Sequence, residues 1–297
     1  MSAPVLKTVN LPPIGGRVVE VGVIADSYVI GGNRKGQQSV PIYDHRIIEY
    51  IVEKAKNRVK HKFDCPILIA GPRRTGKSTT GIDIARKLDP NFTVDHIAFR
   101  LDDFREILRG LPAADPENGI YPVALLDEAG TSLYKLDYMQ KMQKEMVKIF
   151  QVIGKKRLTM VMCLPHRNFL TRDIREQMYI WIQTRTLDEE RGFAELREGV
   201  DNIWNLDLYW KPLCGFVYNE LDDPFWHEYE RKKDAFIDEF SSGSSVPDTS
   251  RMTHLCRQRD ALIKLVASKK LMPRKDLADL TDMRTENVTR IINSSKK

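Results

Sequence analysis

Residues 71–78 read Gly-Pro-Arg-Arg-Thr-Gly-Lys-Ser, set between the short apolar run Pro66 to Ala70 and the helical pattern Lys77 to Leu88. No other stretch restricts the fold so narrowly. Gly71 and Gly76 let the backbone curl so that its N–H groups point inward, and the helix opening near Lys77 turns its positive end to the same point. Strand, glycine turn and helix in that order are the context this spacing requires, which predicts parallel strands connected by helices. The chemistry implied is that of phosphate oxygens. Lys77 is expected to reach the β and γ phosphates, Ser78 to ligate Mg²⁺, and Thr79 to donate to the α-phosphate. The expected ligand is a nucleoside triphosphate, ATP before others, cradled by Gly71, Pro72, Arg73, Arg74, Thr75, Gly76, Lys77, Ser78 and Thr79. The two arginines receive no individual role. A glycine turn with an incidental lysine is the bland alternative.

The rest of the chain alternates in the same rhythm. Val18 to Tyr28 reads as a strand, and Ile47, Ile48, Ile51, Val52, Ala55 and Val59 recur at helical spacing behind Asp44 as a cap. After the helix to Leu88 come strand Phe92 to Phe99, helix Asp103 to Leu108 and strand Tyr121 to Leu126. A helix marked by Met139, Met142, Met146, Ile149, Phe150 and Ile153 precedes strand Leu158 to Leu164; helix Thr171 to Gln177 leads to strand Met178 to Thr184. The methionine stripe reads as core. Extended runs at Gly192 to Leu196 and Leu206 to Val217 suggest hairpins at the sheet edge, and Asp223-Pro224 opens a helix carrying Phe225, Tyr229, Phe236 and Phe240. The expected organisation is an N-terminal β-element (1–42), an α/β domain (43–240), a Ser/Gly linker (241–250) and a small all-α domain (251–297).

A second motif gives the first its meaning. Val123-Ala-Leu-Leu126 runs into Asp127-Glu128, one strand further along the fold. This resembles a Walker B segment, which implies that Asp127 sits beside the Mg²⁺ and Glu128 polarises an attacking water as the catalytic base. An Asp-Glu pair in that place resembles the additional-strand class of P-loop NTPases, implying a sheet ordered 5-1-4-3-2 and hydrolysis in preference to transfer onto a metabolite. The same likeness makes His166, after the strand Leu158 to Leu164, the positional candidate for a γ-phosphate sensor, with a packed or solvated loop histidine as the alternative. It also implies a transition-state arginine from a neighbouring subunit, for which Arg157, Arg167, Arg175 and Arg185 qualify and Arg175 is favoured. With the Leu-Pro-His-Arg-Asn-Phe-Leu-Thr-Arg-Asp-Ile-Arg block, residues 64 to 186 resemble the ATPase domain of proteins related to the FtsK/HerA pumping ATPases and the Zot-like ATPases of phages. Those relatives often carry Gln where this chain has Pro165-His166.

Charge points to the partner. The net +6 of the 297 residues is concentrated in 251–297, where 12 Lys and Arg face 5 Asp and Glu. Segments carrying Leu255, Leu262, Leu265 and Val266, then Leu277 and Leu280, then Val288, Ile291 and Ile292 resemble a helix-turn-helix unit. That likeness implies Arg284, Thr285, Asn287 and Arg290 reaching DNA and Lys275 a phosphate; a helical oligomerisation or docking unit is the alternative. No apolar run approaches membrane-spanning length and no secretory signal opens the chain, so an intracellular protein is expected; the family resemblance implies a viral or plasmid association. The four cysteines show no paired spacing, so they read as buried thiols. The composite expectation is a Mg²⁺-dependent ATPase acting on DNA as a homo-oligomeric ring. A nucleotide-switched DNA-binding regulator or replication initiator is the alternative, and a small-molecule kinase is disfavoured.

Overall fold

A computed structural model of the chain describes residues 5–30, 38–127, 146, 148–151, 153–187, 190–201, 208–241, 289 and 292. The chain divides into two compact units, Met1–Lys233 and Asp234–Lys297. The first is an α/β unit built on one large, mostly parallel central sheet flanked by helices. The elements of the chain in order are β1 (Lys7–Asn10), β2 (Glu20–Ile30), β3 (Gln38–Tyr43), α1 (Ile47–Lys60), β4 (Cys65–Ala70), α2 (Lys77–Leu88), β5 (Ile97–Ala98), α3 (Leu101–Gly110), β6 (Val123–Leu126), β7 (Thr159–Leu164), α4 (Arg172–Glu176), β8 (Ile180–Leu187), β9 (Glu190–Asp201), β10 (Leu208–Val217) and α5 (Pro224–Ser241), whose residues up to Lys233 belong to the first unit. Residues 146, 148–151 and 153–156 are also helical.

The sheet has ten strands in the order β1-β2-β3-β10-β9-β8-β4-β7-β6-β5. That order differs from the expected 5-1-4-3-2. The expectation counted only strands separated by helices, whereas β9 pairs antiparallel with both β8 and β10, and β10 pairs parallel with β3. The runs expected as edge hairpins therefore lie inside the sheet, with β1 to β3 added beyond them. The β8-β4-β7-β6-β5 stretch is parallel throughout.

Both faces of β4 are covered. All six of its residues are buried, as a strand between two helical layers requires. On one face Leu68, Ala70, Leu126, Met160, Met162 and Leu164 join Phe104 and Leu108 of α3, helical Met146, Ile149 and Ile153, and Trp181 in one apolar cluster. The methionine stripe is thus core as far as it is described; Met139 and Met142 lie outside the described residues. On the other face α2 lies so close that a Cβ on Gly81 would sit 3.1–3.4 Å from Leu125, Cys163 and Ile69. Each fully buried Leu or Ile here contributes about 1.5–3 kcal/mol relative to exposure. Cys65, Cys163 and Cys214 are buried thiols, and Cys256 lies outside the described residues.

Two local expectations are corrected. Residues 94–96 form a 3-10 turn, leaving only Ile97–Ala98 as strand, because the Thr93 N–H is taken by His96 Nδ1 and the chain bends there. Asp44 does not cap α1: the helix starts at Ile47, and the Asp44 carboxylate holds the Arg46 N–H and Nε at 3.2 and 2.7 Å. No helix among the described residues is long and apolar enough to cross a membrane.

Candidate functional site

The Gly71–Ser78 turn leaves the C-terminal end of β4 and enters α2, whose first residue is Lys77. Its curl comes from two residues with positive φ, Arg74 at 60° and Gly76 at 75°. A side chain at Gly76 would be strained by that dihedral and would meet the Tyr218 hydroxyl at 1.9 Å; one at Gly71 would strike Thr184 Oγ1 at 2.2 Å. Glycine is thus demanded at both positions by close approach, and at Gly76 by backbone geometry too. Strand β8 and the residue after β10 hold the turn from outside. Thr75 Oγ1 donates to Pro72 O at 2.8 Å and lies 2.7 Å from Thr184 Oγ1. The Tyr218 hydroxyl donates to Thr75 O at 2.6 Å and accepts the Gly192 N–H at 3.2 Å.

Lys77 sits across the loop, its Nζ donating to Pro72 O at 2.5 Å. Arg73 and Arg74 are exposed, Pro72 likewise, and Thr79 is half-buried on α2. Beneath the first turn of α2, Cys163 Sγ lies 3.5 Å from Lys77 O and donates to it.

Asp127 follows β6 directly, its N–H bonded to Ala98 O at 2.8 Å. Its residue is 0% exposed, so its carboxylate must find donors inside the protein. It finds three. The Ser78 hydroxyl lies 3.1 and 3.0 Å from the two carboxylate oxygens and donates to them; the Tyr229 hydroxyl donates to Oδ2; Lys233 Nζ reaches Oδ2 at 3.3 Å and the Tyr229 oxygen at 3.1 Å. Strand β7 separates β6 from β4, so this contact joins two motifs 49 residues apart across a strand belonging to neither.

Tyr229 and Lys233 were not singled out for this role from the sequence; Tyr229 appeared only as one aromatic on a helical face. Three residues put them there: Asp223 just before α5, and Phe225 and Lys232 on it. Asp223 caps the helix through Trp226 N–H at 2.9 Å and pairs with Arg86 of α2 at 2.5 Å, the latter holding its carboxyl below the usual range. Phe225 stacks on Phe92 at 5.8 Å with Arg86 over its ring. Lys232 Nζ donates to Val94 O and Ile97 O at 2.7 and 2.9 Å. Residues 229 and 233, four apart, then share the face turned to Asp127. Burial, and next the Asp127 charge, push the Tyr229 phenol well above its ordinary pKa, so it stays a donor.

The donor set suits a hard cation. A buried carboxylate and a hydroxyl about one hydrogen bond apart supply oxygen ligands of the kind Mg²⁺ takes, with waters and phosphate oxygens completing the shell. Among the described residues no group of three or more His, Cys, Asp or Glu could hold a metal unaided.

The remaining candidates fall in different places. His166 is exposed, and its Nδ1 accepts the Asn168 N–H at 3.1 Å, capping the turn Arg167–Phe169. Arg175 on α4 donates to Asn168 Oδ1 at 2.8 Å. Arg157 lies at the opposite end of β7, bonded to Ala114 O. Glu128 lies outside the described residues, as do Lys275, Arg284, Thr285, Asn287 and Arg290. No protein-family model matches the chain, and no curated protein matches it either.

Proposed function

We propose that the chain is a Mg²⁺-dependent ATPase of the additional-strand P-loop class, acting on DNA as a homo-oligomer. The observation that carries this reading is the contact of Ser78 with buried Asp127 across the intervening β7. It joins the end of a glycine turn that suits phosphate to a carboxylate that suits its counter-cation. The parallel block β8-β4-β7-β6-β5 supports the class: counted from β4, its strands run 5-1-4-3-2 within the larger sheet.

In this reading the N–H groups of the Gly71–Ser78 turn and the start of α2 bind the triphosphate, and Lys77 exchanges its Pro72 carbonyl for phosphate oxygen. Ser78 and Asp127 hold Mg²⁺, directly and through water; when bound, the ion offsets charge developing on the phosphates. Tyr229 orients the Asp127 carboxylate. Glu128, next in the chain, orients the attacking water, and Arg175 supplies positive charge to a neighbour's site. DNA is favoured as partner by the basic excess of residues 251–297, with Lys275, Arg284, Thr285, Asn287 and Arg290 as its contacts. An intracellular, virus- or plasmid-associated setting follows from that reading.

The test is the ATPase rate with and without single- and double-stranded DNA, beside a size measurement with ATP present. Turnover should rise with DNA, and Glu128→Gln should abolish it while ATP still binds; a wild-type rate indifferent to DNA refutes the reading. The same basic tail also favours a nucleotide-switched DNA-binding regulator. Deletion of 251–297 separates the two, because a motor retains some DNA stimulation and a regulator loses DNA binding outright.

A further inference from the structure

Among the described residues outside the loop and its carboxylate, charge is concentrated on the face of β8 turned away from α2. Side chains alternate along a strand, so Thr184 faces Thr75 in the loop while Trp181 and Arg185 face the other side. On β9 the residue opposite Trp181 is Arg197, and Glu195 lies two residues before it. The segment after β7 adds Arg167 and Arg175.

Four guanidiniums gather here, and two of them share a single carboxylate. Glu195, fully buried, pairs with Arg197 at 2.6 Å and with Arg185 at 2.9 Å. Arg197 and Arg167 both lie against Trp181, at 4.8 and 4.7 Å from its ring centre, and Trp210 packs edge-on to the same indole at 5.7 Å. Arg175 is steered towards this group by Asn168, the neighbour of Arg167. Among the described residues the Arg167 guanidinium has no carboxylate partner and no hydrogen bond; its carbonyl accepts the Leu170 N–H. Desolvation, and then the like charges of Arg175 and Arg197, make its protonated form harder to keep than an ordinary arginine's. Glu176 does not relieve the excess, because it pairs with Arg172.

Holding like charges together over a largely buried ring is unfavourable unless an anion joins them. Stacking on an indole also fixes a guanidinium as a flat plate with its N–H edge free, the form in which arginine grips phosphate with two bonds. Buried Trp181 cannot itself stack on a base, but half-buried Trp210 extends the aromatic surface beside the arginines.

We propose that Arg167, held beside Arg197 on Trp181, anchors a nucleic-acid backbone site on the α/β unit, distinct from the basic tail. It deepens the reading of this chain as a DNA-associated ATPase and rests on it for the identity of the phosphate donor. The site lies at the C-terminal edge of the parallel block, where the Gly71 loop also begins, but on the other face of β8.

The test uses the full chain and a fluorescein-labelled 20-nucleotide single strand, with anisotropy titrations from 50 to 200 mM NaCl. Arg167→Gln should weaken binding about 3- to 10-fold and reduce the salt slope by about 0.7, the signature of one lost phosphate contact on a single strand. Arg167→Lys should restore the slope but not all of the affinity, since it keeps the charge and loses the fork. The thermal midpoint of Arg167→Gln should change little, because loss of the contact with Trp181 opposes the relief of repulsion from Arg175 and Arg197. Unchanged affinity and slope in Arg167→Gln, with a wild type that does bind DNA, overturn this site alone. A wild type with no affinity for DNA overturns the DNA reading together with it. A parallel calorimetric titration with sodium pyrophosphate separates the sources: a variant that loses pyrophosphate while keeping DNA affinity assigns the cluster to a small phosphate and refutes the proposal.

Discussion

Replacing Tyr229 with Phe removes one oxygen atom from the heart of the candidate site and almost nothing else. The ring is 1% exposed and packs against Trp226 and Phe99 at 5.0 and 6.2 Å between centroids, contacts that Phe keeps. No cavity opens. What disappears is a hydroxyl that accepts from Lys233 Nζ and donates to a fully buried carboxylate, the latter an interaction with a charged acceptor that contributes about 1.5–3 kcal/mol. Asp127 retains Ser78 and Lys233, which places the loss near the middle of that range, about 2 kcal/mol. For a unit of this size each kcal/mol corresponds to about 2–4 °C, so the thermal midpoint should drop by about 4–8 °C without nucleotide. Differential scanning calorimetry of the full chain reads this directly. Tyr229→Phe, Asp127→Asn and the double variant complete a cycle whose coupling should be about 1–2 kcal/mol. A midpoint within 1 °C of wild type, or strictly additive effects, refutes the assignment of Tyr229 as the group that orients Asp127.

Gly76→Ala should cost about 3 kcal/mol or more, combining a left-handed dihedral with a collision against Tyr218, and a urea midpoint near wild type would contradict it. Tyr218→Phe should cost about 1–2 kcal/mol by leaving Thr75 O and the Gly192 N–H without their shared partner, and should weaken ATP affinity at least threefold by loosening the turn; isothermal titration checks this. Burial pushes the Cys65 and Cys214 thiols up from 9.0 to about 12, so folding favours their protonated forms. That contribution to stability is complete below pH 9 and declines as pH rises towards 12, because the unfolded chain ionises first. At pH 8, iodoacetamide mapping by mass spectrometry should therefore leave both thiols unmodified in the native protein and modified in urea; prompt native labelling would contradict it.

The parts of this protein that could be read along the chain share one property: their signal is local. Gly71, Gly76, Lys77 and Ser78 stand within eight residues, and the spacing itself demands the strand before and the helix after. The apolar run 123–126 ending in Asp127 is equally self-contained, as are the buried face of α1 and the proline in the first turn of α5. The largest failure arose where two distant segments had to meet, and two smaller ones where a side chain bonded a near neighbour. Residues 190–217 carry a legible extended pattern, but nothing in it says that β10 pairs with β3 and so lies inside the sheet. Phe92 to Phe99 is apolar enough for a strand, and the Thr93–His96 bond bends it anyway. Asp44 has the chemistry of a cap, and Arg46 claims it first.

The sequence by itself determined the α/β class, the glycine turn and the carboxylate at the end of β6. These rest on dihedral freedom, hydrophobic periodicity and chemistry spaced along one segment. Only the tertiary structure decided which groups complete the site. Tyr229 and Lys233 stand 102 and 106 residues from Asp127, and Arg197 stands opposite Trp181 only because β9 pairs antiparallel with β8. A carboxylate buried beyond the reach of water must take its donors from whatever the fold brings beside it. No spacing rule along the chain records that choice.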